Sequence, residues 1–89
     1  MKKHVHDTIL IELVKRSSCH ICNKVTKELL SFQQQNKYVN LKIFDIERGD
    51  TIPQNLQCYI TPAVWVEGQL WYLGGFDIKR FNQKISELD

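Results

Sequence analysis

This 89-residue chain has no excess of one charge, no long apolar run and no even set of cysteines. Lys plus Arg number 12 against 10 for Asp plus Glu, and a net charge of +2 is too slight a bias to argue for nucleic acid or a membrane surface. The apolar run at residues 9–11 soon meets Glu12 and Lys15, far short of the roughly 18 residues a membrane helix needs. No signal-peptide core is expected. Three cysteines, an odd number with two in Cys19-His20-Ile21-Cys22, do not suit the disulfide framework of a secreted mini-protein. A reducing, cytoplasmic setting is expected. What the chain does have is an ordinary globular composition, 43% hydrophobic and 25% charged. One domain over residues 1–89 is expected, with residues 1–7, including His4 and His6, as a flexible lead-in.

The hydrophobic pattern alternates between the two periods of regular structure. Residues 8–14 read as a buried strand. Cys22, Val25, Leu29 and Phe32 then recur at helical spacing, with Ser17 or Ser18 placed to cap the start. Residues 38–46 alternate as a second strand, and a strand-helix-strand unit makes its strands parallel. Gly49 and Pro53 exclude a long helix next, although residues 54–59 have room for one or two turns. Residues 63–66 and 70–73 pair as a hairpin across Glu67-Gly68-Gln69. Beyond Gly74-Gly75, the stripe Ile78, Phe81, Ile85 and Leu88 predicts a closing helix capped by Asp77. The order β-α-β-short α-β-β-α predicts an α/β domain whose four-stranded mixed sheet has helices packed on its faces.

The chemistry centres on the cysteine pair. Cys19 falls at a helix start, where free N–H groups and the helix dipole favour a thiolate. Arg16, Lys24 and Lys27 add positive potential, and His20 is a neighbouring group able to stabilise the thiolate. Cys22 lies one turn on, within the apolar stripe. An exposed acidic thiol beside a shielded one is what dithiol exchange requires. A zinc site is the competing reading, but His4, His6, His20 and Cys58 supply no second pair at finger-like spacing. Two unreactive cysteines are another. Cys58 reads as a small buried filler, and Trp65, Trp71 and Tyr72 as core residues or the lining of a peptide groove.

Cys-x-x-Cys at a helix start, Thr61-Pro62 entering a hairpin, and Gly74-Gly75-Phe76-Asp77 before a last helix together resemble the thioredoxin superfamily, and within it the glutaredoxins. The similarity runs from Thr8 to Leu88. It implies a thioredoxin-like fold and a cis bond before Pro62, which faces the cysteines while the Thr61 backbone pairs with an extended substrate or glutathione. It also implies that Asp77 with Phe76 meets the γ-glutamyl end of glutathione and that Arg16 meets a carboxylate. A plain helix cap remains open for Asp77, and an ordinary exposed base for Arg16. The chain departs from the family in its His20-Ile21 dipeptide, and it carries Ser18 where thioredoxins have Trp.

These features lead to the expectation of a monomeric thiol-disulfide oxidoreductase of glutaredoxin-like type. It would have no bound cofactor, glutathione as co-substrate, and disulfide-bonded or glutathionylated proteins as partners. Cys19 would attack, and Cys22 or a second glutathione would resolve the mixed disulfide. A thioredoxin-like reductase of one protein disulfide, a metal or iron–sulfur module using Cys19 as a ligand, and a redox-inactive adaptor are the alternatives.

Overall fold

A computed structural model describes residues 8–88, which leaves the His4 and His6 lead-in outside the described residues. Strand β1 (Ile9–Lys15) is followed by helix α1 (His20–Gln35), strand β2 (Val39–Asp45) and a short 3₁₀ turn (Gln54–Leu56). Strands β3 (Ala63–Val66) and β4 (Gln69–Leu73) and helix α2 (Ile78–Ser86) complete the chain. The sheet order is β2-β1-β3-β4, with β1 parallel to β2 and the other pairs antiparallel. This is the expected four-stranded mixed sheet, with the two central strands nearly continuous in buried apolar residues.

Both helices lie on one face. Val25, Leu29 and Phe32 of α1 and Phe81 and Ile85 of α2 share a core with Ile9, Ile11, Leu13, Val64 and Val66 of the sheet. On the opposite face, Val14, Ala63 and Trp65 are covered by Leu56 and by Ile46, Ile52 and Cys58 from the connection after β2. The expectation of helices on both faces is therefore refined: an irregular segment with a single 3₁₀ turn does the covering there. Pro53 and the polar run Gln54-Asn55 give that segment no helical stripe to extend.

The hairpin turns through Glu67 and Gly68 at φ +51° and +82°, the two left-handed residues a two-residue type I′ turn needs. Opposite it, the register shifts between Val64 and Trp65, which pair with Tyr72 and Leu70. This bulge leaves Trp71 as the extra residue, and both Trp71 and Tyr72 turn onto Phe81, with ring centroids 5.8 and 6.3 Å away. Phe32 and Phe76 reach the same ring at 5.3 and 5.1 Å. Trp65 is buried in the other core. All three hairpin aromatics pack into a core, Trp71 and Tyr72 only in part.

Candidate active site

The turn between β1 and α1 presents the first cysteine. Its start is not capped by a serine: Cys19 is the N-cap, and its Sγ accepts from the Cys22 N–H at 3.0 Å. The serines are engaged elsewhere. The Ser17 hydroxyl donates to Asp45 at the buried end of β2, and Ser18 donates its N–H and hydroxyl to Glu47, both at 2.8 Å. Asp45 also accepts from the backbone N–H groups of Glu47 and Arg48. The Ser17 hydrogen bond is the largest influence on the Asp45 carboxyl and holds it below the usual carboxylate range despite its burial. Two carboxylates, one at the end of β2 and one just beyond it, therefore clamp the loop leading to Cys19, leaving the sulfur itself to meet the helix N-terminus.

The two sulfurs behave oppositely. Burial by itself pushes the Cys19 thiol up, but hydrogen bonds from the Cys22 side chain, the Cys22 and Ile21 backbone and the Thr61 hydroxyl bring it below its ordinary value. Cys22 has no exposed surface, and burial together with donation to Cys19 raises it. All three cysteines are free thiols. Cys58 is half-buried and also raised, by burial, with Arg16 opposing. His20 and Lys24 are exposed on α1; the groups that lower Cys19 are its own helix turn and Thr61.

The second wall is the Thr61-Pro62 turn, whose peptide bond is cis as expected. Pro62 is fully buried, and Thr61 precedes β3, so its backbone lies outside the sheet ladder. Arg16 joins the two walls: its Nη1 donates to the Tyr59 carbonyl at 3.1 Å and to the Thr61 hydroxyl at 3.2 Å. Arg16 also lines a cavity of about 300 Å³ with Ile46, Ile52, Gln57, Cys58 and Tyr59. Gln57 carried no sequence signal, being one polar residue in an irregular segment. Around this region Tyr59 is 95% exposed, Ile60 55% and Ile21 53%, an apolar rim that periodicity does not reveal because these residues lie at turns or on the outer side of α1.

The third wall is Gly74-Gly75-Phe76-Asp77. Gly74 sits at φ +84°, its N–H donates to the Pro62 carbonyl at 2.7 Å, and an added Cβ would meet Ile60 at 3.1 Å. That close approach explains the glycine. Asp77 caps α2, accepting from Lys79 and Arg80 N–H at 3.0 and 3.2 Å, and its side chain is half exposed. The Phe76 ring packs against Phe81 and Tyr72 and is partly buried. Among the described residues, no group of three His, Cys, Asp or Glu side chains gathers to hold a metal ion.

No family model and no curated protein matches the sequence. Solved structures do match in shape. A chain from the study of thiol resolution in yeast mitochondrial 1-Cys peroxiredoxin through the glutathione and thioredoxin systems aligns with a TM-score of 0.68 and 15% identity. That alignment covers 93% of this chain and 81% of that one. The germline-specific thioredoxin Deadhead of Drosophila melanogaster gives 0.67 at 10% identity over 94% and 84% of the two chains. Oxidised thioredoxin O2 of Arabidopsis thaliana gives 0.62 at 13%, over 92% and 76%. At these identities the likeness establishes the fold, which is thioredoxin-like.

Proposed function

We propose that this protein is a thiol-disulfide oxidoreductase, a reading carried by one observation: two cysteines three residues apart whose environments push their acidities in opposite directions. The Cys19 thiolate attacks a substrate disulfide, forming a Cys19–substrate disulfide and releasing the other sulfur as a thiolate. Cys22, once deprotonated, attacks Cys19, frees the remaining substrate thiolate and leaves a Cys19–Cys22 disulfide. Two external thiols then return the pair to the reduced state, their sulfurs ending as a disulfide.

Glutathione is the external thiol we propose. The cavity shared by Arg16 and Gln57 offers a guanidinium and an amide to one carboxylate, the half-exposed Asp77 offers a negative charge to an ammonium, and the Thr61 backbone lies outside the ladder. A reducing, cytoplasmic setting fits that supply. The apolar rim of Tyr59, Ile60 and Ile21 favours a second reading, a reductase dedicated to protein disulfides.

Reduction of a glutathione mixed disulfide tests the choice. Asp77→Asn keeps the α2 cap, because Asn caps about as well as Asp, but removes the charge. Turnover is expected to fall about tenfold, the equivalent of roughly 1.4 kcal/mol, with unchanged stability. Full activity in that variant, or none in the unmodified protein alongside reduction of protein disulfides, favours the dedicated reductase. Iodoacetamide should label Cys19 before Cys22. The reverse order would overturn the assignment of attacker and resolver.

A further inference from the structure

The two oxygens of the Asp77 carboxylate have different surroundings. Oδ1 serves the α2 cap, accepting from the Lys79 and Arg80 N–H groups. Oδ2 takes no part in the cap, and Arg80 Nε lies 3.8 Å from it, one helical turn along. Both side chains are largely in solvent, Arg80 81% exposed and Asp77 52%, and an ion pair in that setting is held loosely because water screens it. A ligand can therefore part the pair and take each half. A free α-amino-acid end is the group that matches: its ammonium and carboxylate branch from one carbon and carry the opposite charges in the same side-by-side arrangement. A guanidinium in turn suits a carboxylate, which it binds through two parallel N–H bonds. We propose that Asp77 and Arg80 form a subsite for an α-amino-acid end, with Arg80 selecting for its carboxylate, so that the preferred substrates are mixed disulfides of thiols carrying such an end. This rests on the glutathione reading above, in which Asp77 takes the ammonium, and gives the acid group beside that ammonium a partner.

The neighbours leave this pair in reach of a ligand. Arg80 also lines a cavity of about 500 Å³ with Tyr72, Gln83, Lys84 and Glu87, so there is room beside the guanidinium. Lys84 is drawn over the Trp71 ring, 4.5 Å from its centroid, and Glu87, the acid lining the same cavity, is the C-cap at the far end of α2. The Tyr72 phenol lies within electrostatic reach of both members of the pair, the Asp77 charge raising it and the Arg80 charge lowering it. On the other side, a Cβ at Gly75 would meet nothing within 4 Å, so the approach to Asp77 is open. The Gly74 N–H donates to the Pro62 carbonyl at 2.7 Å, which ties the segment carrying Asp77 to the cis-proline turn and places the subsite alongside the candidate active site.

Three mixed disulfides of mercaptoethanol separate the two charges: one with glutathione, one with glutaryl-cysteinylglycine, which lacks the ammonium, and one with γ-aminobutyryl-cysteinylglycine, which lacks the carboxylate. The readout is the second-order rate constant for cleavage of each by the reduced full-length protein, followed by chromatography. The unmodified protein should cleave the glutathione form about tenfold faster than either trimmed form, since each trimming removes one charge-assisted hydrogen bond. Arg80→Gln should lose a similar factor with the glutathione and glutaryl forms, which carry the carboxylate, and little with the aminobutyryl form. Asp77→Asn should show the complementary pattern, losing with the glutathione and aminobutyryl forms. Arg80→Lys, which keeps the charge but not the planar fork, should fall between. Faster cleavage of the glutathione form by Arg80→Gln would show that Arg80 masks Asp77 and would overturn the subsite, as would an equal loss with all three disulfides. If the unmodified protein cleaves insulin disulfides but none of the three, the glutathione reading falls and the subsite with it. Cleavage of all three at rates indifferent to Arg80 overturns the subsite alone.

Discussion

Replacing Asp45 probes how the cysteine loop is held. Its carboxylate accepts from the Ser17 hydroxyl and from the Glu47 and Arg48 N–H groups, and Lys15 Nζ lies 3.8 Å away. Hydrogen bonds to a charged group contribute about 1.5–3 kcal/mol each, but Ser17, Glu47 and Arg48 are exposed and can turn to water when the acceptor is lost. The expected loss for Asp45→Ala is therefore about 2–3 kcal/mol rather than the sum. Asp45→Asn should lose about 1 kcal/mol, since an amide oxygen still serves the backbone N–H groups while its NH₂ faces a hydroxyl able to accept.

Urea unfolding as a function of pH is the assay. Because folding lowers the Asp45 pKa, its stabilisation is fully present above the unfolded value near about 3.9 and is lost as pH falls through the folded value. The stability gap between the unmodified protein and Asp45→Asn should hold from neutrality to about pH 5 and narrow as the pH falls below about 4. Glu47 and Asp50, also lowered, titrate in both proteins and largely cancel. A gap as wide at pH 2 as at pH 7 would refute the reasoning, because it would trace to shape rather than charge.

Two further outcomes follow from packing. Gly74→Ala places a side chain at φ +84° against Ile60 and should destabilise by about 1–2 kcal/mol, whereas Gly75→Ala meets nothing within 4 Å and should be close to neutral in the same unfolding experiment. Phe81→Ala empties the centre of the aromatic cluster and should lose about 3–5 kcal/mol. Phe81→Leu should retain a cooperative transition with a weakened near-ultraviolet signal, and an unchanged signal would count against the cluster.

Most elements were legible because their signals are local. Ala63–Val66 and the Asp77 cap match the sequence reading, and the other strands fall within about a residue of it. The helix cap misled for a physical reason: serine is a good N-cap, but Ser17 and Ser18 find carboxylates 28 and 29 residues away, which no local pattern shows. Trp71 and Tyr72 were ambiguous because a one-residue bulge breaks the alternation by which faces are read. The covering of the second face was equally hidden, since Ile46, Ile52, Leu56 and Cys58 follow neither period and meet only through the tertiary fold. At the site, the cysteine pair and the cis-proline turn were legible from spacing and family likeness, while the Arg16–Thr61 contact links residues 45 apart.

The surroundings of Cys19 bear on how electrons would move through the pair. In a dithiol, every donor aimed at the Cys19 thiolate stabilises the reduced form, and a disulfide sulfur accepts such bonds far more weakly. The Thr61 hydroxyl and the helix-turn N–H groups therefore shift the equilibrium toward the reduced pair and make the disulfide more oxidising, by about 30 mV for each tenfold. The raised Cys22 works the other way on rate: a protonated resolver prolongs the mixed disulfide until its proton is removed. A long-lived mixed disulfide gives an external thiol time to attack in place of Cys22. The lowered Cys19 and the raised Cys22 thus act on different steps of an exchange, the first on attack and the second on the rate at which the internal disulfide closes.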